Sequence, residues 1–123
     1  MSFKTEKKEN YTIIKFSTDK LDAIVAPDLK AELVLVSKNG AKNILLDLES
    51  VRYCDSSGLS ALLIGHRLCK EVKGTFVLSS LQPSVQKLII ISQLDTILTI
   101  KKSIEAAMDS VSVDDIERNL SAE

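Results

Sequence analysis

Four consecutive residues, Asp55-Ser56-Ser57-Gly58, constrain this chain more than any others. They stand between Val51-Arg52-Tyr53-Cys54, which reads as the end of a strand, and Leu59, Ala61, Leu62, Leu63 and Ile64, which read as the buried start of a helix. Asp and Ser suit a helix N-terminus because their oxygens accept hydrogen bonds from its orphan N–H groups. Those N–H groups and the aligned peptide dipoles also favour an added anion such as phosphate. The segment therefore presents hydroxyls where phosphorylation would be tolerated. Taken alone, it is also an ordinary polar cap of the kind any α/β protein carries.

The length of 123 residues fits one domain with a sizeable core. Hydrophobic residues make up 45% and charged residues 27%, the balance of a globular protein, and the net charge of −1 gives no overall pull toward nucleic acid or an anionic membrane. Cys54 and Cys69 have neither metal-site nor disulfide-frame spacing and read as small packed residues in a reducing compartment. No apolar run approaches the ~20 residues of a membrane span, and no secretory leader is visible, so the expected location is cytoplasmic.

In chain order, Phe3 to Lys8 and Tyr11 to Ser17 read as a hairpin turning at Glu9-Asn10. The second strand does not alternate cleanly, which implies cover on both faces or a bulge. Thr18 to Asp22 reads as a polar connection. Pro27 opens a helix with Leu29, Leu33, Val36, Ala26 and Leu35 on its stripe, closing at Asn39-Gly40. Asn43 to Leu48 is a central strand, and the helix after Gly58 closes at Lys73-Gly74. Thr75 to Ser79 is a further strand, and Pro83 opens a helix burying Val85, Leu88, Ile89 and Ser92. Thr96 to Ile100 is the last strand, and Ile104 to Met108 begin a final helix. The order predicts an α/β fold with a mostly parallel mixed sheet and an antiparallel edge. Residues 1–110 form the domain, and residues 111–123 read as an acidic C-terminal tail, frayed or weakly helical.

Two enzymatic or metal-assisted uses of these residues fare poorly. A serine hydrolase needs a base, and the only histidine, His66, lies nine residues along the same expected helix, about 13 Å away at ~1.5 Å per residue. An aspartyl-phosphate receiver built on Asp47 needs a carboxylate cluster to hold Mg²⁺, and no adjacent acidic pair is placed at a strand end.

The Asp55-Ser56-Ser57-Gly58-Leu59 segment resembles the phosphorylation motif of anti-sigma-factor antagonists, the single-domain bacterial members of the STAS family. The resemblance extends to Lys20-Leu21-Asp22 with Ala26-Pro27-Asp28-Leu29, to Ile44–Leu48 and to Pro83-Ser84-Val85-Gln86-Lys87-Leu88, covering roughly Phe3 to Ala107. It departs at Asp19 and Gln93, where the family has glycine. The resemblance implies a STAS fold with helices mainly on one face of the sheet. It also implies a regulator, not an enzyme, needing no cofactor or metal. The unphosphorylated form would bind an anti-sigma factor that is also a serine kinase, freeing a sigma factor. Phosphorylation would separate the partners and a serine phosphatase would reset the switch, with no direct contact to nucleic acid or membrane. Ser57 is the implied phosphoacceptor and Ser56 the weaker candidate, with Asp22, Asp55, Ser56 and Gly58 at the partner-binding surface. The alternative is a STAS ligand-binding or scaffold module that holds a nucleotide or small anion at the same helix end.

Overall fold

The computed structural model describes residues 2–121. Five strands form one sheet: β1 (Phe3–Lys7), β2 (Thr12–Phe16), β4 (Ile44–Asp47), β6 (Phe76–Ser79) and β7 (Thr99–Lys101), side by side in that order. β1 and β2 are antiparallel, with Phe3 opposite Phe16, and every later pairing is parallel. The hairpin is closed by the Lys8 N–H donating to the Tyr11 carbonyl at 2.8 Å, and its two phenylalanine rings meet with centroids 5.6 Å apart.

Helices α1 (Ala26–Lys38), α2 (Ser56–Glu71) and α3 (Pro83–Ile91) follow β2, β4 and β6 in the chain. They bury Leu29, Leu33, Leu59, Leu62, Val85 and Ile89 in a core that also holds Ile14, Phe16, Ile44, Leu46, Leu48 and Leu78. Helix α4 (Ile104–Ser121) sets Ala107 and Val111 against Ile13, Leu45 and Val77 in a second, smaller cluster. The period of two in a strand explains the division, since Ile13 and Ile14, or Leu45 and Leu46, face opposite layers. The sheet is therefore covered on both faces, and β2 lacks clean alternation for that reason; its register runs unbroken from Thr12 to Phe16 without a bulge. Helix α4 continues through Ser121 as one element. Of the acidic residues expected in the tail, Glu123 lies outside the described residues, and for Asp114, Asp115 and Glu117 the structure describes the backbone alone.

Four expectations are corrected. The polar connection at Thr18–Asp22 contains a two-residue strand, β3 (Lys20–Leu21), paired in parallel with β5 (Tyr53–Cys54) in a separate small sheet. The strand directly before the Asp55 turn is thus β5 and not the central strand. Leu35 is 54% exposed, because at ~100° per residue it lies two positions round from Leu33 and off the stripe. Ser92 is exposed just beyond the end of α3. The last strand starts later than the apolar run suggests, since Leu94–Thr96 form a single 3-10 turn. Gln93 precedes that turn in the left-handed region at φ 62°, where the family's glycine would rest without strain.

Helix α2 ends at Glu71 with Val72 as its C-cap, and Lys73 takes the left-handed conformation at φ 58°. Gly74 serves a different need there: a Cβ on it would lie 1.7 Å from the Lys42 carbonyl oxygen.

Candidate functional site

After β4 the chain turns through Val51, which is buried and donates its N–H to the Leu48 carbonyl at 3.0 Å. The Arg52 and Tyr53 N–H groups then donate to the Asp19 carbonyl at 2.8 and 3.0 Å, so Asp19 ties this turn to the loop after β2. Pairing of Leu21 with Cys54 follows. The next residues on the two strands are Asp22 and Asp55, and a helix start follows each.

Asp55 is the N-cap of α2. Its backbone is extended, its Oδ1 accepts from the Gly58 N–H at 3.1 Å, and its carbonyl accepts the Leu59 N–H at 3.0 Å. Asp22 does the same for the turn leading into α1. Its Oδ1 accepts from Ile24 and Val25 at 3.0 and 3.1 Å, and its carbonyl accepts from Ala26 at 2.8 Å. Ser56 and Ser57 occupy the first two positions of α2, with Ser56 exposed and Ser57 half-buried. Among the hydrogen bonds of the described residues, neither of their N–H groups has an acceptor, as expected for the first turn of a helix.

Gly58 is buried. A Cβ on it would lie 2.4 Å from the Leu21 carbonyl oxygen and 2.7 Å from the Cys54 sulfur. The close approach that its missing side chain allows is inward, onto the small sheet. The structure thus brings Asp22, Asp55, Ser56, Ser57 and Gly58 to one end of the molecule, across the β3–β5 pairing.

A STAS-domain model matches residues 2–107. The chain belongs to the STAS family. It is 30% identical over 106 residues to BtrV of Bordetella bronchiseptica, provisionally described as an anti-sigma factor antagonist. That match spans 76% of this chain and 91% of its relative, and it sets this STAS domain among the anti-sigma factor antagonists. The same fold is seen in an anti-sigma factor antagonist from Mycobacterium paratuberculosis, with a TM-score of 0.80, 19% identity, and cover of 89% of this chain and 92% of that one. It is seen again in the phosphorylated form of SpoIIAA, the Bacillus cell fate determinant, with a TM-score of 0.69, 24% identity, and cover of 89% and 98%.

Other reactive groups of this STAS domain stand apart from the Ser57 turn or are buried beneath it. His66 lies along α2 toward its far end, beside a cavity with Cys69, Lys70, Lys73 and Gly74, and is separated from Ser57 by more than two helical turns. Asp47 ends β4 and is buried, its Oδ1 accepting the Glu49 N–H at 3.2 Å. Among the described residues no group of three or more His, Cys, Asp or Glu is placed to hold a metal ion. No helix of the described residues is long and apolar enough to cross a membrane. Burial, reinforced by the charge of Asp55, pushes the Cys54 thiol up to about 12. Burial also pushes Cys69 up to about 12, opposed in part by a hydrogen bond with the Ile44 backbone. Both sulfurs are neutral thiols at neutral pH and poor nucleophiles.

Two features of the surface escaped the sequence reading. Ile24, on the turn capped by Asp22, is 81% exposed, and Tyr53 on β5 is 54% exposed. Both flank the Ser57 turn through the small sheet. Nothing in the local pattern marks them, because their neighbourhood depends on strands of two residues.

Proposed function

We propose that this STAS domain is a partner-switching regulator in the cytoplasm, not a catalyst, with Ser57 as its phosphoacceptor. Unphosphorylated, it binds an anti-sigma factor with serine kinase activity and thereby frees the sigma factor. The kinase phosphorylates Ser57, the complex separates, and a serine phosphatase restores the binding form. Asp22, Asp55 and Ser56 border the bound partner, Gly58 supports that surface from within by seating the turn on the small sheet, and Ser56 is the weaker alternative acceptor.

One observation carries the reading: Ser57 stands half-buried in the first turn of α2, beside two N–H groups without an acceptor and next to a cap that fixes the turn. A phosphate there adds about −1.5 to −2 charges at pH 7, which the helix N-terminus partly offsets, so the fold need not change. Against a docked partner the same charge has to be desolvated near Asp22 and Asp55. Two like charges 4 Å apart near a surface repel by about 4 kcal/mol before salt screening. That is several hundred-fold in affinity, or more, and sufficient for a switch. SpoIIAA, which shares the fold, occurs in a phosphorylated form.

The deciding experiment is peptide mapping of the protein from its own host, followed by labelling of Ser57→Ala and Ser56→Ala variants with the kinase they co-purify with. Loss of label in Ser57→Ala alone is the expected result. A Ser57→Ala variant that is still labelled to the same extent would overturn the assignment.

A further inference from the structure

At the pole opposite Ser57, where β2 and β4 begin, a cavity of about 520 Å³ opens between the hairpin turn, the loop after α1 and helix α4. Its size falls in the range of about 300–1,000 Å³ typical of small-molecule sites. Lys7 and Lys8 line one side, Lys42 another, and Ser112 and Ile116 of α4 close it; Glu9 is the one carboxylate among the described lining residues. Lys8 is paired with Glu6 at 3.4 Å. Among the described residues, Lys7 and Lys42 have no carboxylate within 4.0 Å.

The ordinary use of lysines at such a place is to satisfy the last carbonyls of a helix. Here those carbonyls are taken. Leu35, Val36 and Ser37 accept from the backbone N–H groups of Asn39, Ala41 and Gly40 at 3.0–3.1 Å. Lys7, Lys8 and Lys42 are therefore exposed around the cavity and not engaged by the end of α1, with Lys8 shared with Glu6.

The floor is rigid. Asn43 is buried, donates from Nδ2 to the Asn10 carbonyl at 2.9 Å and accepts at Oδ1 from the Thr75 N–H at 2.9 Å. The hairpin turn, the start of β4 and the start of β6 are thereby pinned together. The backbone of the site would be preformed, leaving only the lysine side chains to be ordered by a ligand.

We propose that this cavity binds a small multivalent anion, carrying either phosphate or carboxylate groups, through Lys7 and Lys42 with Lys8 at its rim. Such a ligand would bridge the sheet and α4. The proposal stands independently of any role for Ser57.

The test is a titration of the isotope-labelled protein at low ionic strength, followed by amide chemical shifts, with inorganic pyrophosphate in one arm and citrate in the other. Saturable shifts are expected at Glu9–Tyr11 and Gly40–Asn43, while Asp55–Leu59 stay unmoved. The arm that binds more tightly identifies the anionic group. Lys7→Gln with Lys42→Gln should weaken binding about tenfold or more, whereas Lys87→Gln on the exposed side of α3 should not. All three lysines are exposed, so folding is not at stake. The proposal is overturned by non-saturable shifts with both anions, by shifts at Ser56–Gly58 in place of the cavity, or by unchanged affinity in the double variant.

Discussion

Helices α1 and α2 leave the small sheet side by side, and their leading residues can be laid over one another. Leu21 pairs with Cys54; Asp55 then caps α2, and Asp22 caps the turn that leads into α1. Two residues after the caps stand Ile24 and Ser57; three residues after stand Val25 and Gly58, each donating its N–H to the capping carboxylate. The backbone device is the same and the chemistry is opposite. One turn displays an exposed isoleucine, the other a hydroxyl beside N–H groups without acceptors. What distinguishes the two turns is then the side chain two places after the carboxylate, together with the glycine that lets α2 lie against β3.

Changing the chemistry without changing the backbone is the largest perturbation. Ser57→Asp is expected to lower affinity for the kinase by several hundred-fold, at about 4 kcal/mol for a close like-charge contact, read by titration calorimetry. Equal affinity of the variant would erase the functional half of the contrast. Next in size is Gly58→Ala. The added methyl meets Leu21 and Cys54 at 2.4–2.7 Å, and overpacking of this kind costs about 1–3 kcal/mol. Urea denaturation should show the loss, and an unshifted midpoint would mean that α2 has slack against the small sheet.

Removing the caps tests the likeness itself. Asp55→Ala and Asp22→Ala should each cost about 1 kcal/mol, by the loss of one capping carboxylate. A clear inequality in their denaturation midpoints would show that one carboxylate has a further task. The smallest effect belongs to the paired positions Leu21 and Cys54, where only the thiol titrates. Burial and Asp55 push its folded pKa up to about 12, above the ordinary thiol value of 9.0, so the stability it contributes is complete below pH 9 and is lost as pH rises from 9 toward 12. Cys54→Ala should flatten that alkaline loss, and native Cys54 should resist thiol reagents at pH 8.

Much of this was legible in the chain. Pro27, Asp55 and Gly40 mark helix ends through backbone chemistry that acts within a few residues, and the apolar stretch Ile44–Leu48 announces a strand covered on both faces. The small sheet was not legible. Two residues carry no alternation, and β3 and β5 exist only because residues some thirty positions apart meet. The exposure of Ile24 went unseen for the same reason. Gln93 lies between: its departure from a glycine of the family marks the left-handed residue directly before the 3-10 turn, and so the delayed start of β7. For the Ser57 turn, the residue types could be read directly, but the inward role of Gly58 needed the position of β3.

The order of strands across the main sheet, β1-β2-β4-β6-β7, is also their order along the chain. No strand has to be threaded between two that are already paired. β2 adds through a hairpin and each later strand adds to the growing margin after a single α-helix, so every pairing joins strands that are neighbours in the order of the sheet. A ribosome releasing this chain from its N-terminus would deliver the parts in the sequence in which they are needed. The turn bearing Ser57 would be complete once α2 had settled on β3, before the last strand and α4 emerged.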